Sequence, residues 1–221
     1  MNLLIIFRGG YNRIDDPETV TFNINKFIIE PLKRDNKVTV LFSSYLEDEE
    51  KLEVFKQKLK PETVVLNDRV EHTGQIINFK QTLSVIESVY SNYDYVLFLR
   101  FEIIYKMSVL EWDIFTKRGL IVPYREESEE TFNGTHWYSD TIIIISSEFY
   151  IPFSQSIISA DLDYFTPHYT LHNIANIMPQ TIPVHVIIPG YYNSNTSIRD
   201  NPLTIMYGRV YLGENIEKYI K

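Results

Sequence analysis

Arg100 and Glu102 stand two residues apart at the end of Tyr93-Asp94-Tyr95-Val96-Leu97-Phe98-Leu99-Arg100-Phe101-Glu102. On an extended segment such a pair points to one side. A carboxylate just past a strand can hold a divalent cation that bridges a diphosphate, and a neighbouring guanidinium can neutralise the same phosphates. The competing reading is an ion pair that caps the strand. Asp94, at the strand's other end, is a poor ligand for the same site.

Three further clusters could do chemistry. Arg8-Gly9-Gly10 follows an apolar run, where backbone N–H groups and a guanidinium could hold a phosphate; a tight turn with a surface Arg explains it equally well. Ser139-Asp140-Thr141 precedes four isoleucines. An Asp before a buried run is costly unless it caps a turn or faces a site as a base or hydroxyl acceptor. His136 and Trp137 put an aromatic face beside these polar groups, which suits a sugar or a base as well as an ordinary surface loop. His168 and His172 are spaced i,i+4 without an H-E-x-x-H pattern and read as helix surface or satisfied core. Neither G-x-G-x-x-G nor the Walker pattern occurs, nor a G-x-S-x-G elbow or a Cys nucleophile.

These residues need elements to position them. Apolar runs predict strands at Leu3 to Phe7, Val38 to Phe42, Glu62 to Leu66 and Tyr95 to Leu99. Helical spacing predicts helices from about Pro17 to near Pro31, from Glu47 to Lys60, and from Gln75 to Tyr90. The alternation β-α-β-α-β-α-β points to a mostly parallel central sheet flanked by helices, whose ligands gather at the carboxyl ends of the strands. The second half is less regular. A short helix is expected at Leu110 to Phe115, and strands at Leu120 to Val122, Asp140 to Ile145 and Val184 to Ile188. Helices are expected around Ser147 to Ser159 and Tyr169 to Met178, a polar mobile loop from Tyr124 to Tyr138, and a turn-rich tail from Tyr191 to Tyr207.

Composition narrows the class. The chain has 221 residues, a formal net charge of -8 and no Cys. That length suits one α/β domain, the acidic balance argues against a nucleic-acid surface, and disulfides and thiolate metal sites are excluded. No segment approaches a membrane span and the first residues lack a basic signal-peptide region, so a cytoplasmic-type protein is expected.

Four stretches, in order, resemble small GT-A-like glycosyltransferases of large DNA viruses, algae and bacteria. They are Ile5-Ile6-Phe7-Arg8-Gly9-Gly10-Tyr11-Asn12-Arg13, then Phe27-Ile28-Ile29-Glu30-Pro31-Leu32 leading to Val38-Thr39-Val40-Leu41-Phe42-Ser43-Ser44-Tyr45, then Tyr93 to Glu102, then Ser139-Asp140-Thr141. In the third, the family pattern is Arg-x-Asp, and here Glu102 replaces the Asp. The resemblance implies one glycosyltransferase-like domain over 1–221, with a Rossmann-like nucleotide-sugar half at about 1–105 and an acceptor half at about 106–221. It implies transfer from a nucleotide-diphosphate sugar, UDP-sugar favoured, to a glycan or protein-linked acceptor. Phe7, Arg8, Gly9 and Arg13 would touch the nucleotide or its phosphates, with Arg100 organising the diphosphate. Glu102 would hold Mn²⁺ or Mg²⁺. Asp140 would face the donor sugar or serve as general base, with His136, Trp137 and Ser139 near the sugars and the Glu126 to Glu130 loop closing over them. A non-catalytic glycan- or protein-binding module on the same fold is the alternative. On this reading Asp140→Asn abolishes transfer and leaves the fold intact.

Overall fold

The computed structural model describes residues 1–11, 14–45, 49–67, 74–125, 137–160, 174–190, 192 and 201–206. The first strand, β1 (Asn2–Arg8), is followed by helix α1 (Pro17–Ile24), a π-helical turn at Asn25–Ile29 and helix α2 (Glu30–Lys33). Asp16 caps α1 by accepting a hydrogen bond from the Thr19 N–H at 3.1 Å, and Pro17 occupies the first turn, where no N–H is needed. The helix was expected to stop near Pro31, yet it continues through it. Pro31 has no N–H to offer the preceding turn, and the π turn, with the Glu30 N–H on the Asn25 carbonyl, absorbs the mismatch.

Next come β2 (Lys37–Tyr45), α3 (Glu49–Leu59), β3 (Thr63–Asn67), α4 (Gly74–Ile86) and β4 (Tyr95–Arg100). The chain then forms β5 (Ile103–Tyr105), a 3₁₀ turn at Val109–Trp112 in place of the expected helix, β6 (Leu120–Val122) and β7 (Ile142–Ser146). Helices α5 (Tyr150–Ser159) and α6 (Ile174–Ile177) precede β8 (Val184–Val186) and β9 (Thr204–Met206). The expected loop at 124–138 and the start of the helix expected at Tyr169 lie mostly outside the described residues. The expected tail contains β9, which pairs antiparallel with β5, two three-residue strands too short for their pattern to be read.

The central sheet has seven strands in the order β3-β2-β1-β4-β7-β6-β8. The strands β1 to β4 run parallel, β7 is antiparallel to both β4 and β6, and β6 and β8 are parallel. Only β7 therefore runs against the others. That reversal brings the residues before β7 to the edge where β1 and β4 end.

Alternate residues feed two cores. Leu3, Ile5 and Phe7 pack with Ile24, Ile28 and Phe55, whereas Leu4 and Ile6 pack with Phe79, Leu83, Phe153 and Ile157. With helices on both faces, the central strands carry the continuous apolar runs that their pattern predicted. Among the described residues no helix is long and apolar enough to cross a membrane.

Gly119 joins β6 to its neighbours. Its φ is +125°, its N–H bonds Ser146 Oγ at 2.8 Å, and a Cβ there would lie 2.2 Å from the Pro183 carbonyl oxygen. Backbone cannot retreat as a side-chain tip can. Gly119→Ala is expected to cost at least about 2 kcal/mol in urea unfolding, against about 1 for Ser146→Ala. A neutral Gly119→Ala would contradict this packing.

Candidate functional site

The carboxyl edge of the sheet carries a row of polar residues set by strand register. Arg8, the last residue of β1, is paired in register with Ser43 of β2 on one side and with Arg100 of β4 on the other. In a parallel ladder such partners share a face, so two guanidiniums stand side by side at the end of the sheet. Arg8 also lies over the Phe79 ring of α4, 5.2 Å from its centre. Ser43 Oγ is hydrogen-bonded to Thr82 Oγ1 of the same helix.

Two carboxylates neutralise this pair. Arg100 donates from Nη1 to both oxygens of Asp140, at 3.2 and 3.1 Å, and from Nη2 to Oε1 of Glu102. Arg8 donates from Nη2 to the Asp140 carbonyl oxygen and lies 3.7 Å from Asp140 Oδ2. The cluster sums to zero charge. All four are buried, Arg8 and Asp140 at 1% and 3% exposure and Glu102 and Arg100 at 6% and 7%.

Glu102 owes its place to Phe101. β4 ends at Arg100, and Phe101 and Glu102 form a turn rather than the extended continuation expected. The Phe101 ring is driven into the core, 5.0 Å from Phe55, 5.1 Å from Phe42 and 5.8 Å from Phe7. Burial of that ring fixes the turn and holds Glu102 beside Arg100.

Burial pulls the Arg8 guanidinium below its ordinary value; Asp140 opposes the shift and Arg100 adds to it. Burial pulls on Arg100 as well, but Glu102 and Asp140 outweigh it and hold that guanidinium above its ordinary value. Three buried polar atoms in this neighbourhood have no hydrogen-bond partner among the described residues: Arg8 Nε, Glu102 Oε2 and Tyr105 Oη. Burial raises the Tyr105 phenol, Arg8 opposes that and Glu102 reinforces it, which places the phenol in the field of the cluster. Sequence reading did not single out Tyr105, because a three-residue strand three positions past Glu102 carries no motif.

The remaining expected residues fall as follows. Arg8 is deeply buried, which removes the surface-Arg reading of Arg8-Gly9-Gly10. Gly9 takes φ +92°, but its N–H is spent on the Ser43 carbonyl at 3.1 Å and its carbonyl accepts from Ser44 Oγ at 2.7 Å. Gly9 therefore shapes the edge and has no N–H to offer a phosphate. Phe7 is enclosed between Phe42 and Phe101 and presents no face to a ligand. Ser139 is fully buried, its hydroxyl 2.9 Å from Thr141 Oγ1, so it builds the turn before β7. Trp137 is half-buried, three residues before Asp140. Arg13, His136, Glu126 to Glu130, His168 and His172 lie outside the described residues.

The donor set does not fit a divalent cation. Asp140 gives both oxygens to Arg100, Glu102 gives one, and only Glu102 Oε2 is left. A cation there would share its carboxylate with Arg100 and raise a neutral cluster to a net charge of plus two. Among the described residues no group of three or more His, Asp or Glu could hold a metal ion.

No protein-family model matches the chain, and no curated protein matches it. Its fold does match solved structures. The 4-diphosphocytidyl-2C-methyl-D-erythritol synthase from Anaerococcus prevotii DSM 20548 aligns with a TM-score of 0.55 at 11% identity, covering 87% of this chain and 90% of that one. Mouse xyloside xylosyltransferase 1 aligns at 0.46 and 12% identity, covering 84% and 85%. A protein from Desulfovibrio desulfuricans G20 assigned as a nucleotide-diphospho-sugar transferase aligns at 0.49 and 12% identity, covering 99% and 96%. The chain thus shares the mixed α/β fold of that synthase, with its helices on both faces of the seven-stranded sheet.

The geometry corrects one expectation. Asp140 bonds Arg100 and neighbours Arg8, so Asp140→Asn removes half of the cluster's negative charge from a buried site. Breaking such a buried network costs about 3–5 kcal/mol. Asp140→Asn is therefore expected to lower stability by that amount in chemical unfolding. In a cycle with Arg8→Met the two losses should be strongly non-additive; simple additivity would show that the two residues do not act as a pair.

Proposed function

We propose that this chain is a glycosyltransferase that binds a nucleotide-diphosphate sugar, with a UDP-sugar favoured, and transfers the sugar to a glycan or protein-linked acceptor. The observation that carries the reading is the buried Arg8–Arg100–Asp140–Glu102 cluster at the carboxyl ends of β1 and β4, where open α/β sheets bind their ligands. The fold, shared with a synthase of a diphosphocytidyl compound, supports nucleotide binding at that edge.

Each residue's proposed role follows from its position. Arg100, the more exposed guanidinium, meets the diphosphate and stabilises the charge that grows on it as the sugar departs. Arg8 and Asp140 support it: Asp140 orients Arg100, and Arg8 balances Asp140. Taking a proton on Asp140 would weaken its bonds with Arg100, so an acceptor hydroxyl is better served by Glu102 Oε2, which has no hydrogen-bond partner among the described residues. Trp137 supplies an aromatic surface close to Asp140 for the sugar.

A second reading is nucleotidyl transfer. It is favoured by the neighbour with the TM-score of 0.55, whose name describes a synthase of a diphosphocytidyl compound. A thermal-shift panel of nucleoside triphosphates, nucleoside diphosphates, nucleotide sugars and free glycans separates these readings. A ligand at 100 times its Kd adds about 2.7 kcal/mol, which at this size raises Tm by about 5–10 °C. A shift with one family of nucleotide sugars is the expected result. A shift with triphosphates alone would favour nucleotidyl transfer, and a response to glycans without any to nucleotides would mark a binding module.

A further inference from the structure

Both terminal nitrogens of Arg100, the guanidinium proposed to meet a phosphate, are engaged by carboxylates. Arg100 Nη1 is committed to Asp140, and Nη2 is bound to Glu102 Oε1. The two carboxylates are not equivalent. Asp140 engages Arg100 with both oxygens and sits beside a buried second Arg, directly before the paired strand β7. Glu102 engages Arg100 with one oxygen, and its other oxygen has no hydrogen-bond partner among the described residues.

Two guanidiniums matched by two carboxylates leave nothing for an incoming dianion to neutralise. A diphosphate gains from this site only if one carboxylate gives way, and Glu102 pairs with Arg100 alone, whereas Asp140 lies against both arginines. A side-chain rotation suffices, because Phe101 keeps the backbone of the turn anchored in the core. Gly9 leaves room beside it: a Cβ at Gly9 would meet only Glu102 Oε2, at 4.0 Å.

Building on the nucleotide-sugar reading, we infer that Glu102 holds the anion position on Arg100 and that a nucleoside diphosphate binds by displacing it, with Arg100 rather than a divalent cation meeting its charge. Glu102 is then an internal competitor of the ligand. It sets how tightly the diphosphate is held and returns to Arg100 when the product leaves.

The experiment is calorimetric titration of the whole protein with UDP, CDP, GDP and ADP, each in EDTA and in Mn²⁺, on the wild type, Glu102→Gln and Arg100→Gln. The wild type should bind one diphosphate equally well in EDTA and Mn²⁺. Glu102→Gln should bind it more tightly by roughly tenfold or more, as expected when a competing charged hydrogen bond is removed. Arg100→Gln should lose it. Mn²⁺-dependent binding by the wild type, or weaker binding by Glu102→Gln, would overturn the displacement while leaving a nucleotide-using enzyme. Where Glu102→Gln fails to fold, Glu102→Ala takes its place: tighter binding by it supports the displacement and weaker binding overturns it. Absence of any diphosphate binding in either condition would overturn the nucleotide reading and this inference with it.

Discussion

Two guanidiniums side by side in a protein interior repel each other and resist desolvation, and a structure that sets them there must place carboxylates against them. In this protein the pairing of Arg8 with Arg100 is a direct consequence of sheet register: once β1 and β4 align from Leu3 and Tyr95, the last residues of both strands meet. Everything else at that edge answers to this constraint. Asp140 bonds Arg100 and neighbours Arg8, Glu102 takes the remaining terminal nitrogen of Arg100, and the Phe79 ring covers Arg8. A cluster bound this way is rigid and specific rather than strongly stabilising, because desolvation offsets much of its Coulomb energy.

The reversed strand is what makes the cluster complete. Had β7 run parallel to β4, Asp140 at its start would lie at the amino edge, remote from both arginines. Antiparallel pairing, Leu99 with Ile142 and Tyr95 with Ser146, carries Asp140 to the carboxyl edge instead. The apolar face of the same sheet sets Glu102. Phe101 packs among Phe7, Phe42, Phe55 and Tyr11, all core residues, and the turn it anchors presents a carboxylate to Arg100. Core packing and site geometry are here one arrangement.

On the proposed reading, a buried and neutral cluster suits a departing diphosphate better than an exposed basic patch would. A buried dyad is already oriented, so little reorganisation remains when charge develops on a leaving diphosphate. Exposed arginines would attract anions of many kinds in an otherwise acidic chain.

Much of the fold was legible because it rests on local pattern. The apolar runs at Leu3 to Phe7, Val38 to Phe42, Tyr95 to Leu99 and Ile142 to Ile145, with helical spacing between the first four strands, name an α/β sheet whose strand ends gather ligands. They also singled out Arg8, Arg100, Glu102 and Asp140, since charged residues bordering buried runs demand an explanation. Side-chain type and spacing carry that much and no more. Whether the Gly9 N–H was free, whether Phe7 faced ligand or core, and whether Glu102 had oxygens to spare depended on which residues register and strand direction brought into contact. Tyr105 and β9 were invisible for the same reason: a short strand is made by its partner and not by its own sequence. The sequence by itself determined the layers and the charged residues at their edge. Only the tertiary structure decided that the four charges cancel one another, because cancellation is a matter of distance across strands and distance across strands is not written along the chain.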